Sequence, residues 1–181
     1  MKALKEWATV IKALENGNQT VLLRKGGILE TASGFSIEAR KFALFPTYEH
    51  QDNSSLKSQY FGYLADARES KPKDGYNRIS SIAEVVEERD ITSMEKLEEL
   101  SPFHIWSDNY IVERMNWMPE KPMKVVFLKV STIPSTEIPV LAEYQGCKSW
   151  IELNVNVESG NPVLSEAELQ EKLSEFRRVT N

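Results

Sequence analysis

Residues 45–51 combine ring, hydroxyl, carboxylate, imidazole and amide side chains directly after a short apolar run. The candidates for contact with a ligand in this segment are Thr47, Tyr48, Glu49, His50 and Gln51. Tyr48 could stack on a planar ring while its neighbours hydrogen-bond the edge of that ring, and His50 could carry a proton. The alternative interpretation is a proline turn in which Phe45 belongs to the core and Tyr48 covers it.

Two cations and two glycines stand where another apolar run, residues 19–24, ends, and they could bind an anion. These residues are Arg24, Lys25, Gly26 and Gly27. Glycines let backbone N–H groups approach a phosphate closely, and Arg24 could donate two hydrogen bonds to it. Neither a Gly-Lys-Ser/Thr sequence nor an Arg-Glu-x-x-Glu-Glu helix follows, which argues against a P-loop and a Nudix pyrophosphatase. A plain strand-to-turn exit with solvated cations is the alternative.

Aromatic and cationic residues in the second half of the chain could line a pocket. The candidates are His104, Trp106, Arg114, Lys148, Ser149 and Trp150. A tryptophan offers a large ring face for stacking, and a neighbouring cation could contact an anionic ligand. Because tryptophans are often core residues, a structural role is the alternative. We expect at least two of the segments 24–27, 45–51 and 147–150 to line one cleft.

Metal and nucleophilic chemistry find little support in the sequence. The chain has two histidines and one cysteine, Cys147, and these residues lack the spacing of a known metal site. The surroundings of Cys147 do not favour a nucleophile, and a single cysteine cannot form an internal disulfide. We therefore expect no metal, no cofactor and no assembled catalytic set.

Size and charge indicate one folded domain over residues 1–181. The chain is 41% hydrophobic and 27% charged, which excludes a disordered or collagen-like protein. No apolar run is long enough to span a membrane and no signal peptide is evident, so we expect no membrane association and a cytoplasmic location. Residues 84–99 alone carry a net charge of −5, which is also the net charge of the whole chain. This acidic surface leaves room for a basic face elsewhere.

Hydrophobic spacing predicts an α+β fold. Helices are expected over residues 3–15, 53–69, 107–117 and 165–178, with a short one capped by Thr92 and Glu95. The last helix is expected to begin with a capping box of Ser165 and Glu168 and to bury a stripe formed by Leu169, Leu173 and Phe176. Strands are expected over residues 19–24, 42–45, 79–91, 124–130 and 149–155. Pro46 is expected to end the second strand, and Pro134 and Pro139 to bound an irregular connection. Because helices and strands do not alternate, we predict a small mixed or antiparallel, partly barrel-like sheet flanked by helices.

Six motifs spread over residues 3–153 carry a resemblance to one known family. They are Ala-Leu-Lys-Glu-Trp at 3–7, Leu-Leu-Arg-Lys-Gly-Gly-Ile at 22–28, residues 45–51, His-Ile-Trp at 104–106, Trp117 with Pro-Glu-Lys-Pro at 119–122, and Gly-Cys-Lys-Ser-Trp at 146–150. The sequence resembles the bacterial family catalogued as domain of unknown function 1802 (DUF1802). The resemblance implies no established activity. It implies a link to restriction or DNA handling, since some relatives are joined to a restriction-endonuclease-like domain that this chain lacks.

The order of the predicted elements is similar to that of PUA-like barrels of the ASCH and EVE kinds. That resemblance implies binding of RNA or modified DNA bases in an aromatic-lined pocket. The leading hypothesis is therefore a non-catalytic binding module for a nucleic acid or a modified base, with DNA or RNA as its partner. The alternative is a small hydrolase or nuclease-associated enzyme that uses His50 with Glu49 or His104 as acid–base groups.

Overall fold

Seven strands form one mixed sheet in the computed structural model, which describes residues 1–26 and 34–181. The strands are β1 (Lys2–Trp7), β2 (Val21–Arg24), β3 (Lys41–Thr47), β4 (Tyr76–Ile91), β5 (Met123–Pro139), β6 (Trp150–Glu152) and β7 (Asn161–Pro162). Their order is β2-β5-β4-β3-β1-β6, and β7 pairs with β5. Among the described strands, β1 and β3 pair in parallel and the other pairs are antiparallel. The sheet is mixed, as predicted, and its described strands do not close into a barrel.

Each face of the sheet carries its own hydrophobic cluster, because successive side chains of a strand point to opposite faces. On β1, Ala3 belongs to the smaller cluster and Leu4 to the larger one. On β3, Ala43 and Phe45 belong to the smaller cluster, while Leu44 belongs to the larger one. Strands that are covered on both faces are apolar throughout, which explains why β3 was recognisable as a strand from its composition.

Five α-helices flank this sheet in the described part of the chain. They are α1 (Ala8–Glu15), α2 (Phe61–Glu69), α3 (Met94–Glu99), α4 (Asp108–Asn116) and α5 (Glu166–Thr180). The chain leaves α1 through Gly17, whose φ of 72° is the left-handed conformation that glycine adopts without strain. The predicted buried stripe of the last helix is confirmed, since Leu169, Leu173 and Phe176 all lie in the larger cluster.

The N-terminal segment corrects the prediction of one helix over residues 3–15. Residues Lys2–Trp7 form β1, which lies between β3 and β6, and the helix begins only at Ala8. The three-residue step between Leu4 and Trp7 fits a helix, but Ala3 and Leu4 are both fully buried. Two adjacent buried residues are expected of a strand that is covered on both faces. The spacing of a few apolar residues does not distinguish such a strand from a helix.

Two prolines lie within strands instead of ending them. Pro46 is part of β3, which pairs with β4 only over residues 41–43, so that one side of the strand is unpaired near the proline. Pro134 lies in β5, which continues to Pro139. The pairing of β5 with β4 shifts between Thr132 and Thr136, so the predicted irregularity is a bulge within one strand.

Two helix starts also differ from the sequence prediction. The region from residue 53 begins with short 3₁₀ turns, and α2 starts only at Phe61. The cap of α3 is Ser93, whose Oγ accepts a hydrogen bond from the backbone N–H of Lys96 at 3.4 Å, and not Thr92. Ser and Thr are both good caps, so their order in the sequence could not decide between them.

The predicted capping box of α5 is present. Ser165 Oγ accepts a hydrogen bond from the backbone N–H of Glu168, and the Glu168 carboxylate accepts one from the backbone N–H of Ser165 at 2.8 Å. Because both bonds satisfy otherwise unpaired groups, Ser165→Ala is expected to lower the free energy of unfolding by about 1 kcal/mol. Urea titration measures this loss, and an unchanged midpoint would contradict it. Ser159→Ala is the matched control, since Ser159 caps no helix.

Candidate functional site

A cleft of about 560 Å³ lies where the end of β3 meets the start of β4 and the segment after β5. Its polar and aromatic lining consists of Lys5, Phe45, Thr47, Tyr48, Glu49, Lys71, Lys73, Asp74, Tyr76, Asn77, Tyr144 and Gln145. The volume is within the range of about 300–1,000 Å³ that is typical of ligand sites. Five of the lining residues come from the candidate segment 45–51: Phe45, Pro46, Thr47, Tyr48 and Glu49.

Two lysines on the connection between α2 and β4 bring positive charge to this cleft. Lys71 and Lys73 are exposed, while Pro72 between them is buried. The proline packs inward between them, and both lysines face the solvent at the cleft. Neither lysine is among the candidate residues that the sequence indicated. The available signal was the alternation Lys-Pro-Lys shortly before a tyrosine.

Each of these lysines lies over a tyrosine ring. The Nζ atom of Lys73 is 4.3 Å from the ring centre of Tyr76, and that of Lys71 is 5.8 Å from the ring centre of Tyr48. An ammonium group over a ring face is attracted by the electrons of that face. Tyr76 is nonetheless 42% exposed, and burial raises the pKa of the half-buried Tyr48. The cleft therefore contains two cation-covered rings, one directly after β3 and one at the start of β4.

Lys5 is held rigidly at the other side of the cleft. Its Nζ donates hydrogen bonds to the backbone carbonyls of Tyr144 at 2.8 Å and Gly146 at 2.9 Å. Burial lowers the pKa of Lys5, and the nearby positive charge of Lys148 lowers it further, whereas Glu49 opposes the change. The predicted ligand residue Lys148 is exposed and acts electrostatically on the cleft, although it does not line it.

The wall of the cleft is fixed by buried contacts. The rings of Phe45 and Tyr144 meet edge to face with centres 5.8 Å apart. Asn77 Nδ2 donates to the carbonyl of Pro46 at 2.8 Å, and Thr47 Oγ1 donates to the carbonyl of Glu6 at 3.1 Å. These bonds tie β3 to β4 and β1, so the surface below Tyr48 is preorganised.

The predicted anion site at residues 24–27 is corrected by its contacts. Arg24 forms an ion pair with Glu6 at 3.2 Å, donates to Ser149 Oγ at 2.8 Å, and lies 5.0 Å from the ring centre of Phe35. Its predicted partner Ser149 is thus bound to a protein side chain. Arg24 does not line the cleft. A guanidinium that is already paired with a carboxylate has a structural role.

Lys25 is also structural. The residue is 1% exposed, and its Nζ donates to the backbone carbonyls of Met115, Trp117 and Met118 at 2.7–2.9 Å. It therefore stabilises the end of α4 and the residues that follow. Gly26 has a positive φ of 91°, while Gly27 lies outside the residues that the structure describes.

The predicted ring platforms Trp106 and Trp150 are core residues. Trp106 is stacked on Tyr110 with ring centres 4.1 Å apart. Trp150 Nε1 donates to the carbonyl of Ser36 at 2.9 Å, and its ring meets Phe42 edge to face. Arg114, a predicted cation of this cluster, lies 4.6 Å from the ring centre of Trp117. The structural role, which the sequence left open as an alternative, therefore applies to both Trp106 and Trp150.

The proposed acid–base residues do not share a cavity in the described part of the chain. His104 is 2% exposed and lines a cavity of about 30 Å³ next to α3 and α4. Glu49 lines the larger cleft, and His50 is exposed with a φ of 61° and lines neither. Gln51 is buried, where its Oε1 accepts a hydrogen bond from Thr9 Oγ1 at 2.6 Å.

Of the three segments that were expected to share a cleft, only 45–51 lines this one, so the expectation is not met here. The segment 45–51 meets Gln145 and Gly146, which immediately precede the predicted segment 147–150. Arg24 meets Ser149, but away from the cleft. Over residues 1–26 and 34–181, no group of three His, Cys, Asp or Glu side chains could hold a metal ion, and no helix is long and apolar enough to cross a membrane.

Comparison with known proteins identifies the family. The model of the family named "Domain of unknown function (DUF1802)" matches residues 3–175, so the chain belongs to that family. The match extends beyond the range 3–153 that the motifs indicated. No curated protein matches the sequence significantly. A solved structure of a ZmASCH mutant protein from Zymomonas mobilis is similar over 96% of this chain and 94% of its own, with 12% identity and a TM-score of 0.40.

Proposed function

We propose that this protein is a non-catalytic binding module that holds a nucleic acid in the cleft between β3 and β4. One observation carries the proposal: Lys5, Lys71 and Lys73 line the cleft, and none of them forms an ion pair with a carboxylate in the described part of the chain. Lysines without carboxylate partners beside exposed rings are suited to phosphates and bases together.

The acidic stretch of β4 does not oppose this role. Tyr76 at the cleft is the first residue of β4, whereas Glu87, Glu88 and Asp90 lie near its other end. These acids are paired with cations: Glu87 with Arg89 and Arg177, Glu88 with Lys124 and Arg40, and Asp90 with Lys124. The net charge of −5 therefore does not describe the field at the cleft.

The hydrolase alternative is less well supported by the geometry. An acid–base pair must approach the same reacting atoms, and His50 lines neither the cleft that Glu49 lines nor the cavity that His104 lines. Burial, reinforced by the charge of Lys57, lowers the pKa of His104 to about 3, which is far from the value of a general base at neutral pH. A role in restriction or DNA handling, implied by the sequence resemblance, would make DNA the ligand.

Replacing either loop lysine is expected to weaken oligonucleotide binding. Lys71→Ala and Lys73→Ala should each reduce affinity about five-fold, or about 1 kcal/mol, because each removes a phosphate contact. Each should also reduce the slope of log K against log salt by about 0.7. Fluorescence anisotropy with a labelled 12-nucleotide DNA at 50 and 200 mM salt measures both quantities.

Lys172→Ala is the matched control for these variants. Lys172 lies on α5, none of whose residues lines the cleft, so its loss should leave the affinity unchanged. The proposal would be wrong if no oligonucleotide bound at 50 mM salt, or if the control weakened binding as much as the loop variants. Cleavage of the oligonucleotide would instead favour the enzyme.

A further inference from the structure

We infer that the cleft takes a single-stranded nucleic acid, with one base stacked on Tyr76 and another on Tyr48. This inference rests on the proposed function and adds the class of ligand. In the free protein, the cations of Lys73 and Lys71 occupy these two ring faces. A bound strand would supply phosphates for the lysines and bases for the rings.

Replacing the contact between a lysine and a ring by contacts with a nucleotide is favourable, because one weak contact gives way to two stronger ones. An exposed cation–ring contact is worth little, and Tyr76 keeps 42% of its surface exposed despite it. A phosphate offers the lysine a full opposite charge, and the ring that is released can stack on a base. The ammonium groups and the rings therefore match the two parts of a nucleotide.

The spacing of the cations fits one extended strand. Lys71 and Lys73 are two residues apart, so their Cα atoms lie at most roughly 7 Å from each other, and both side chains are exposed while Pro72 between them is buried. Consecutive phosphates of an unstacked strand are similarly spaced. In a duplex, the base faces are covered by their neighbours and cannot reach a tyrosine, so the two rings favour a single strand.

The decisive experiment compares three DNA probes of equal charge: a single strand, the same strand with abasic sites, and a hairpin duplex. The wild-type protein should bind the single strand about ten-fold more tightly than either other probe. Tyr76→Ala should lose about ten-fold on the single strand and nothing on the abasic strand. Tyr76→Phe should bind as the wild type, because it keeps the ring. A single-stranded RNA probe shows which sugar is preferred.

Phe61→Ala is the matched control, since Phe61 is similarly exposed, at 38%, and does not line the cleft. Equal binding of all three probes, together with an unchanged affinity of Tyr76→Ala, would overturn the inference. The lysine variants would still weaken binding in that case, and the proposed function would stand. Failure of every probe to bind would overturn both.

Discussion

Arg24→Ala is expected to lower the free energy of unfolding by about 3 kcal/mol. The variant leaves the carboxylate of Glu6, a residue that is only 5% exposed, without its cation. The same variant also removes the hydrogen bond to Ser149 Oγ at 2.8 Å and the cation over Phe35. An unpaired charge in a buried position is costly because water cannot replace the lost partner. Urea titration with two optical probes measures the loss.

A second variant separates the charge from the packing. Arg24→Ala combined with Glu6→Gln removes the unpaired carboxylate, so part of the lost stability should return, and the two substitutions should be non-additive. Lys148→Ala is the control, since this exposed lysine forms no ion pair in the described part of the chain and should change stability by less than about 0.5 kcal/mol. If Arg24→Ala changed the free energy of unfolding by less than about 0.5 kcal/mol, the ion pair of Arg24 with Glu6 would be unimportant for stability.

The elements that could be predicted from the sequence are those whose local signals agree. The run 124–130 is apolar and β-branched because it forms the first half of β5, which pairs with β2 and β4 and contributes to the core. For α5, the cap, the first-turn glutamate and the apolar stripe all indicate the same boundaries. The prediction for the N-terminal segment was wrong because β1 is short and runs directly into α1. One stretch of sequence therefore contains both the spacing of a strand and the spacing of a helix.

The site could be predicted only in part, because its members come from different elements. The segment 45–51 was recognisable by its density of polar and aromatic groups. Lys71, Lys73 and Tyr76 gain their meaning only when β4 places them beside Tyr48. Arg24 was misassigned because its partner, Glu6, lies on a strand that the sequence predicted to be a helix. Composition likewise could not show that Trp106 and Trp150 are buried.

The burial of His104 predicts an unusual dependence of the fold's stability on pH. The imidazole is buried beside α3 and α4, where Nδ1 accepts a hydrogen bond from the backbone N–H of Trp106 at 3.2 Å. Nε2 has no partner among the described residues. The Nζ of Lys57 donates to the carbonyl of His104 at 2.7 Å and places a positive charge nearby. Burial and then this charge lower the pKa of His104 from 6.5 to about 3.

This pKa predicts a loss of stability in mild acid. Between pH 6.5 and 3 the unfolded chain binds a proton at residue 104 and the folded protein does not, so the free energy of unfolding falls as the pH falls. From pH 7 to pH 4 the expected loss from this residue is about 3 kcal/mol. Carboxylates with lowered pKa values, such as those of Glu87 and Glu168, add to the loss, so a variant must isolate the histidine.

His104→Asn isolates it, because the Asn Oδ1 can replace Nδ1 as the acceptor for Trp106 and has no proton to gain. The variant is expected to be less stable than the wild type at pH 7, since the smaller side chain leaves a cavity. Its stability should nevertheless fall by about 3 kcal/mol less than that of the wild type between pH 7 and pH 4.

His50→Asn is the matched control: His50 is exposed, and asparagine tolerates its φ of 61°, so the wild-type pH dependence should be retained. Urea titrations at half-unit pH steps measure the three curves. Parallel curves for the wild type and His104→Asn would show that the folded protein accepts a proton at His104 as readily as the unfolded chain does.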